Sequence, residues 1–205
     1  MNRMKARVVN FKRIQNKCLK KIAGALKSGA VMICPTDTIY GISVSARVRK
    51  SIEKIRRIKK RRDKKPFIIL VDSINSAKKI TRFNGRALVL AKKFWPGPLT
   101  MILNAKTGSK KIAIRIPGRA KLRKLIGYLG CPMVSTSANI SGQKPANNEK
   151  ALIKRFGGLV DYMLLAGRVS GLPSTIVDVS SKKIKIIRQG AVPKRKILDC
   201  LENRE

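Results

Sequence analysis

Two hydrophobic patterns alternate along the chain, one with apolar residues every three or four positions and one with short unbroken apolar runs. After Asn10, whose side chain suits a helix N-cap, apolar residues recur at helical spacing from Phe11 to Leu26 and predict an amphipathic helix that stops at Gly29. Short apolar runs between polar turns predict strands. By the same criteria the sequence predicts helices at about 48–58, 73–80, 85–94, 121–129 and 149–156, and strands at about 31–34, 39 onward, 67–71, 99–103, 112–116, 133 onward, 162–166, 174–179 and 183–188.

Helix and strand alternate over nearly the whole chain, which predicts an α/β domain with a mixed sheet. The 205 residues suffice for one sizeable core. No internal repeat, low-complexity tract or proline-rich linker divides them. One domain over 1–205 is therefore expected, with its core at about 10–192 and a short basic tail at 193–205.

The charge balance is strongly basic, with 48 Lys and Arg against 10 Asp and Glu and a formal net charge of +38. Such an excess attracts polyanions, and RNA or nucleotides are the obvious partners. A generally basic proteome, in which Lys and Arg replace neutral surface residues, is the alternative explanation, although the charges are spread along the chain and not gathered in one tail.

Several residue types and segments are missing from the sequence. It contains no histidine, which excludes a Ser-His-Asp or Cys-His catalytic group and a His-ligated zinc. The four cysteines are widely separated and indicate reduced thiols in a cytoplasmic protein. No apolar run approaches the roughly 20 residues that cross a bilayer, so a protein without membrane partners is expected.

The most informative segment is CPMVSTSANISGQKP, residues 131–145. It supplies three consecutive hydroxyl side chains from Ser135 to Ser137, then Asn139, Ser141 and Gly142. Hydroxyls can donate to an anion without carrying charge, and small side chains expose backbone N–H groups, so the segment is typical of a phosphate or carboxylate cradle. A serine-rich turn whose hydroxyls only cap backbone groups is the alternative.

Two more polar segments follow predicted elements. PTDTIYG, residues 35–41, sets Thr36 and Thr38 in a turn at a strand end, where open α/β sheets bind ligands, although an ordinary turn explains it equally. Lys59, Arg61 and Lys65 lie at or just past the end of a basic helix. Because cations are favoured at a helix C-terminus, a solvated charge run is the alternative there.

Arginine also occurs at strand positions. Arg115 stands in the middle of the strand KIAIRIP, where a covered guanidinium needs a partner such as a carboxylate, unless the strand is an edge that faces water. Ser174 and Arg188 lie at the ends of a predicted hairpin, which is otherwise a plain surface hairpin. The sequence has neither a Walker A loop nor a Rossmann glycine fingerprint, so a nucleotide would need another arrangement.

The order and spacing of these segments closely resemble the YrdC/TsaC family of threonylcarbamoyl-adenylate synthases. In sequence order they are PTDTIYG, K-x-R at Lys59 and Arg61, FWPGPLT, IRIP, STSANISG, STIVD and R-x-G at Arg188, and they span about 31–192. FWPGPLT followed by S-x-S-A-N-x-S-G is highly specific. The resemblance implies a YrdC-like twisted mixed sheet with flanking helices around a large basic cavity.

The resemblance also implies an activity, the formation of threonylcarbamoyl-AMP and pyrophosphate from L-threonine, bicarbonate and ATP for N6-threonylcarbamoyl modification of tRNA. Mg²⁺ is expected with ATP, without assigned protein ligands. Expected partners are downstream threonylcarbamoyl transferase proteins and tRNA or double-stranded RNA. By resemblance the catalytic set is Lys59, Arg61, Ser137 and Asn139, the ATP site adds Lys65 and Arg188, and the threonine site comprises Thr36 or Thr38, Arg115, Ser135 and Ser174.

The chain departs from the family pattern at three places. Arg62 follows Arg61 where many relatives have proline, Lys65-Pro66-Phe67 replaces Asn-Pro-Leu, and Leu70 stands where some relatives carry a threonine-contacting histidine. The chain also ends soon after Arg188, as single-domain members do. The alternative function is that of the YciO-like paralogues, a non-catalytic double-stranded RNA-binding or ribosome-assembly protein, in which the catalytic set tends to be altered.

Overall fold

Ten strands of the described residues form one twisted sheet, in a computed structural model that describes residues 5–60, 66–169 and 171–202. The strands are β1 Arg7–Asn10, β2 Met32–Pro35, β3 Tyr40–Ser45, β4 Ile68–Leu70, β5 Leu99–Asn104, β6 Lys111–Arg115, β7 Met133–Ser137, β8 Tyr162–Leu165, β9 Thr175–Asp178 and β10 Lys185–Arg188. The helices are α1 Asn16–Lys27, α2 Arg49–Ile58, α3 Ile74–Ile80, α4 Gly85–Phe94, α5 Ala120–Leu129, α6 Glu149–Phe156 and α7 Lys194–Glu202.

The sheet order is β1-β8-β2-β3-β7-β4-β6-β5-β9-β10. The pairs β1–β8, β2–β8, β4–β6 and β5–β9 are parallel, and the remaining neighbours are antiparallel. The predicted α/β class and mixed sheet are therefore confirmed. Among the described residues, no helix combines the length and apolar composition that crossing a membrane requires.

Helices cover both faces of the sheet because successive strand residues point to opposite sides. Met32 and Met133 pack beneath α1 and α5, whereas their chain neighbours Ile33 and Val134 pack against α2 and α6. A third apolar cluster joins α3, α4 and α7 to β5, β6 and β9. The strand ends lie outside these apolar clusters, so polar side chains can occupy them.

Three elements near the termini differ from the sequence prediction. Asn10 does not cap a helix: its side-chain oxygen accepts the backbone N–H groups of Lys12 and Arg13 in a turn, and α1 begins only at Asn16. The four residues before that turn form the edge strand β1. The predicted tail also contains α7, which packs against α4 and buries Ile197.

Gly190 lies where the chain after β10 crosses the start of β9. A Cβ at this position would overlap the carbonyl oxygen of Pro173 and approach the carbonyl carbon of Ser174 to 2.7 Å. Because both neighbours are backbone, they cannot rotate away. We expect Gly190→Ala to lower the free energy of unfolding by about 2 kcal/mol or more in urea titrations.

Gly24→Ala provides the control for this prediction. Gly24 lies within α1 with nothing within 4 Å of the added Cβ, so alanine should leave stability unchanged or raise it by up to about 1 kcal/mol. If the two alanine variants unfold at the same urea concentration, the close approach at Gly190 is not a constraint on the fold.

Candidate active site

A cavity of about 410 Å³ opens where β2, β6, β7 and β10 end. Its wall contains every described member of the residue set that the sequence analysis singled out: Thr36, Thr38, Lys59, Arg115, Ser135, Ser137, Asn139, Ser174 and Arg188. The predicted residues Arg61 and Lys65 lie outside the described residues. Side chains from distant parts of the sequence therefore share one hollow.

Lys59 is a buried cation in the wall of this cavity, with 3% of its surface exposed. Its Nζ donates to the carbonyl oxygens of Ser137 (2.7 Å) and Asn139 (2.9 Å) and to Oδ1 of Asn139 (2.8 Å). The N–H of Ser141 in turn donates to the carbonyl oxygen of Lys59. An ammonium has three protons to donate, so these contacts direct the Lys59 side chain at the loop after β7.

The loop after β7 is braced by its own side chains. Ser137 Oγ donates to Asn139 Oδ1 at 2.5 Å, and Asn139 Nδ2 donates to the carbonyl oxygens of Ile140 and Gln143. Gly142 adopts a left-handed φ of 82°, which favours glycine. A serine-rich turn was one interpretation of Ser135 to Ser137, but these residues belong to β7, where they pair with Gly41 to Ser43 of β3.

Glycine makes room for a serine in the cavity wall. A Cβ on Gly41 would lie 2.8 Å from Ser135 Oγ, so a larger residue there would displace that hydroxyl. Ser135 Oγ accepts a hydrogen bond from Ser43 Oγ on the adjacent strand (2.9 Å). The neighbouring strands thus hold the Ser135 side chain in a fixed position at the cavity wall.

Arg115, the last residue of β6, is 4% exposed and held by three contacts. Nε donates to the carbonyl oxygen of Gly97 (2.9 Å), Nη1 to Oγ1 of Thr38 (3.1 Å) and Nη2 to Oδ1 of Asp37 (2.5 Å). A guanidinium carries five N–H donors, so these three contacts leave two of them unused. The predicted need of Arg115 for a carboxylate partner is met within the protein by Asp37.

The turn between β2 and β3 gives its two threonines different tasks. Thr36 Oγ1 donates to the carbonyl oxygen of Ile39 (2.6 Å) and accepts the N–H groups of Thr38 and Ile39, so this hydroxyl shapes the turn. Thr38 Oγ1 lies 2.9 Å from Thr36 Oγ1 and accepts from Arg115. Of the two alternatives left open by the sequence, Thr38 is the one bonded to Arg115.

Arg188 lies at the accessible side of the cavity. Its Nε and Nη2 donate to the carbonyl oxygen of Ser174, and Nη2 also reaches Ser174 Oγ (3.2 Å). Partial burial, followed by repulsion from Arg115, lowers the pKa of Arg188. Arg115 and Arg188 both line the cavity, Arg115 is paired with Asp37 behind it, and the described lining itself contains no Asp or Glu. This arrangement favours an anionic ligand between the two arginines.

The cavity also has an apolar wall that sequence reasoning did not predict. It is formed by Phe67, Ile68, Leu70 and Ile176. Leu70 had been noted only as a departure from the family pattern. Asp37 lies in the turn segment PTDTIYG, and only the folded chain brings it to Arg115. In the sequence, the apolar run directly after Pro66 is the pattern that could have indicated this wall.

Cys34 is a fully buried thiol that does not line the cavity. Burial raises the pKa of Cys34 to about 12, and the Ser43 hydroxyl and the charge of Arg119 lower it only in part. The thiol therefore stays protonated at neutral pH and is a poor nucleophile.

Asp37 and Arg115 form a buried ion pair, and the chain offers an exposed pair for comparison. We expect Asp37→Asn to lower the free energy of unfolding by about 3 kcal/mol, because a covered guanidinium loses its charged partner. The matched control is Asp199→Asn, which removes the carboxylate of the exposed Arg195–Asp199 pair (3.8 Å) and should change stability by less than about 1 kcal/mol. Equal losses of unfolding free energy in urea titrations would show that burial of the Asp37–Arg115 pair does not increase its contribution to stability.

The chain matches one family model and is similar in sequence to several named proteins. The family model Sua5/YciO/YrdC, described as "Telomere recombination", matches residues 24–190. A Methanocaldococcus jannaschii protein with the provisional name threonylcarbamoyl-AMP synthase is 35% identical, covering 96% of this chain and 99% of that protein. Further archaeal and bacterial relatives named threonylcarbamoyl-AMP synthase are 27–28% identical.

Solved structures share the fold. The crystal structure of Pyrococcus abyssi Sua5 complexed with L-threonine superposes with a TM-score of 0.88 at 27% identity. The match covers 95% of this chain, which spans only 60% of that longer chain. Escherichia coli YciO superposes with a TM-score of 0.84 at 22% identity, over 92% of this chain and 97% of the other, which shows a common fold alone.

Proposed function

This chain belongs to the Sua5/YciO/YrdC family, and from that premise we propose that it is a threonylcarbamoyl-AMP synthase. In this reaction the amine of L-threonine combines with bicarbonate, with loss of water, to give a carbamate. A carbamate oxygen then attacks the α-phosphorus of ATP, and pyrophosphate leaves. The finer assignment within the transferases is a nucleotidyl transfer that supplies threonylcarbamoyl-AMP for tRNA modification.

One observation carries the proposal: Lys59, Arg115 and Arg188 line a single cavity whose described lining contains no carboxylate. All three substrates are anionic or carry an anionic group. The main task of the protein is therefore to gather negative charge, align the reacting groups and stabilise the charge that develops. A chain without histidine can perform this chemistry, because no covalent nucleophile is required.

The geometry suggests how the residues share the work. Lys59 supplies a buried positive charge and holds the Ser137–Asn139 loop, so the triphosphate would lie along that loop, with Arg61 and Lys65 expected beside it. The two uncommitted N–H groups of Arg115 would bind the threonine carboxylate. Arg188 would lie between the two sites, where the carbamate meets the α-phosphate.

Magnesium is expected to enter with ATP and to neutralise part of the triphosphate charge. The described lining offers hydroxyl and carboxamide oxygens but no carboxylate. Nor do the described residues contain three His, Cys, Asp or Glu side chains close enough to hold a metal. This donor set fits an ion that would be carried by phosphates and water, and the hydroxyls of Ser137 and Ser141 are the protein oxygens that would help to hold it.

The test is release of pyrophosphate from ATP. We expect release to require both L-threonine and bicarbonate, since the nucleophile forms from them. Release that is equal without threonine would contradict the proposal. The absence of any release, combined with tight binding of duplex RNA, would support the non-catalytic alternative. The names of the relatives favour the enzyme, whereas the likeness to YciO extends to the fold alone.

The product would require a second protein. Threonylcarbamoyl-AMP is a mixed anhydride that hydrolyses readily, so its acyl group must be passed promptly to an acceptor. A threonylcarbamoyl transferase acting on tRNA is the partner that the proposed reaction implies.

A further inference from the structure

The segment FWPGPLT, residues 94–100, contributes no residue to the described cavity lining but contacts that lining from behind. The carbonyl oxygen of Gly97 accepts a hydrogen bond from Arg115 Nε (2.9 Å). The hydroxyl of Thr100, the last residue of the segment, lies 2.9 Å from the hydroxyl of Ser174. Arg115 and Ser174 both line the cavity, so the segment supports two side chains of the predicted threonine site.

Thr100 keeps a hydroxyl at a fully buried position of β5. Its chain neighbours Leu99 and Met101 belong to the apolar cluster that packs against α4. Because side chains alternate along a strand, Thr100 points to the opposite face of the sheet. The parallel pairing of β5 with β9 brings Ser174, the residue before β9, within reach of the Thr100 hydroxyl.

The hydrogen bonds determine which of the two hydroxyls donates. A buried hydroxyl needs an acceptor for its proton, and among the described residues Thr100 Oγ1 has a hydrogen bond only with Ser174 Oγ. Thr100 therefore donates and Ser174 accepts. Ser174 Oγ also accepts a hydrogen bond from Arg188 Nη2 (3.2 Å). A hydroxyl oxygen has two acceptor lone pairs, so both are occupied and the proton of Ser174 is left for another partner.

That partner is a ligand of the cavity. Ser174 lines the cavity, and no further acceptor for its proton lies among the residues that the structure describes. We propose that Thr100 is a positioning residue that holds the Ser174 hydroxyl as a donor toward an anionic oxygen of the substrate. Under the proposed function, on which this assignment rests, that oxygen belongs to the carbamate formed from L-threonine and bicarbonate, beside Arg188.

The chemistry of the transfer step predicts which kinetic constant depends on this contact. A hydrogen bond to a charged acceptor is stronger than one between neutral groups. The carbamate loses negative charge when one of its oxygens attacks the α-phosphorus, so the donor binds the reactant at least as well as the transition state. Its loss should therefore raise the KM for L-threonine and leave kcat nearly unchanged.

The experiment compares Thr100→Val with Thr81→Val in the full chain. Valine keeps the branched shape of threonine but replaces the hydroxyl with a methyl group. Thr81 is the matched control because it is also buried, its Oγ1 donates to the carbonyl oxygen of Ala77 (2.9 Å), and it does not line the cavity. Thr100→Ser keeps the hydroxyl and tests rescue. Pyrophosphate release is measured over separate concentration series of L-threonine and ATP, with the other substrates saturating.

We expect Thr100→Val to raise the KM for L-threonine about tenfold, with kcat and the KM for ATP within about twofold of wild type. Thr100→Ser should return the KM for L-threonine to within about threefold of wild type, and Thr81→Val should leave it unchanged. An unchanged KM for L-threonine in Thr100→Val would overturn the proposal. So would an equal rise in Thr81→Val, or a fall in kcat with both KM values altered, because these results indicate a merely structural role.

A double-mutant cycle tests whether Thr100 acts through Ser174. In a Ser174→Ala background, Thr100→Val should cause no further rise in the KM for L-threonine, whereas a further tenfold rise would overturn the proposed route. If Thr100→Val does not fold, Thr100→Cys replaces it. A thiol is a weak donor, so a rise of about threefold is then expected and no rise would contradict the proposal. Failure of the proposed function is recognised separately, by wild-type pyrophosphate release that does not require L-threonine.

Discussion

Replacing Lys59 with methionine is expected to slow pyrophosphate release by at least about 100-fold. Methionine matches the length of the lysine stem but removes the buried charge and the three donors that hold Ser137 and Asn139. The loop would then lose its fixed position beside the triphosphate. The protein should still fold, with a loss of about 1 to 3 kcal/mol in the free energy of unfolding.

Lys60→Met is the control for this prediction. Lys60 is the next residue, is exposed and carries the same charge, but it does not line the cavity. Steady-state rates of pyrophosphate release should match the wild type. If both variants lose activity equally, the effect comes from the general positive charge of the segment and not from the contacts of Lys59 with the loop.

Arg115→Lys is expected to raise the KM for L-threonine by about 30-fold, with little change in the KM for ATP. A single ammonium cannot reach the carbonyl oxygen of Gly97, the hydroxyl of Thr38 and the carboxylate of Asp37 while also presenting two further donors to a ligand. A point charge remains, so binding should weaken but not vanish. Initial rates over a threonine series, at saturating ATP and bicarbonate, measure the change.

Arg123→Lys makes the same chemical substitution outside the cavity. Arg123 donates to the carbonyl oxygens of Pro117 and Gly118 and does not line the cavity. Its threonine KM should stay within about twofold of wild type. An unchanged threonine KM in Arg115→Lys would remove that residue from the threonine site, whatever its contribution to stability.

Elements with strong local signals could be predicted from the sequence. The bounds of α4 and α6 match the prediction, because Asn84 and Asn148 cap these helices by accepting the N–H groups of Ala87 and Ala151. Asn10 is the same residue type and was also expected to cap a helix, but its side chain instead caps a turn. The first strand was missed since its short, mostly exposed run gains stability only from pairing with β8.

The composition of the candidate site could be predicted, but its internal contacts could not. Motif spacing identified Lys59, Arg115 and Asn139, yet it carries no information on where each side chain points. The Asp37–Arg115 contact joins residues 78 positions apart, and the Lys59–Asn139 contacts join residues 80 apart. Only the pairing of β3 with β7 and of β4 with β6 brings such positions together.

The proposed function would require a strongly basic chain to keep specific anion sites, and the buried cations of the cavity suit that requirement. Lys59 and Arg115 are buried and bonded to the protein, so their positions are fixed before a substrate arrives. Exposed lysines are mobile and screened by salt within about 10 Å. Under the proposed function the two populations would serve different purposes, preorganised binding in the cavity and long-range attraction at the surface.

A crystal structure with L-threonine and a non-hydrolysable ATP analogue tests most directly whether one cavity unites the two substrates. We expect the triphosphate along the Ser137–Asn139 loop above Lys59, the threonine carboxylate on Arg115, and the threonine amine facing the α-phosphate. A structure with either ligand bound outside the cavity, or with both inside but the amine directed away from the α-phosphate, would contradict the proposed reaction.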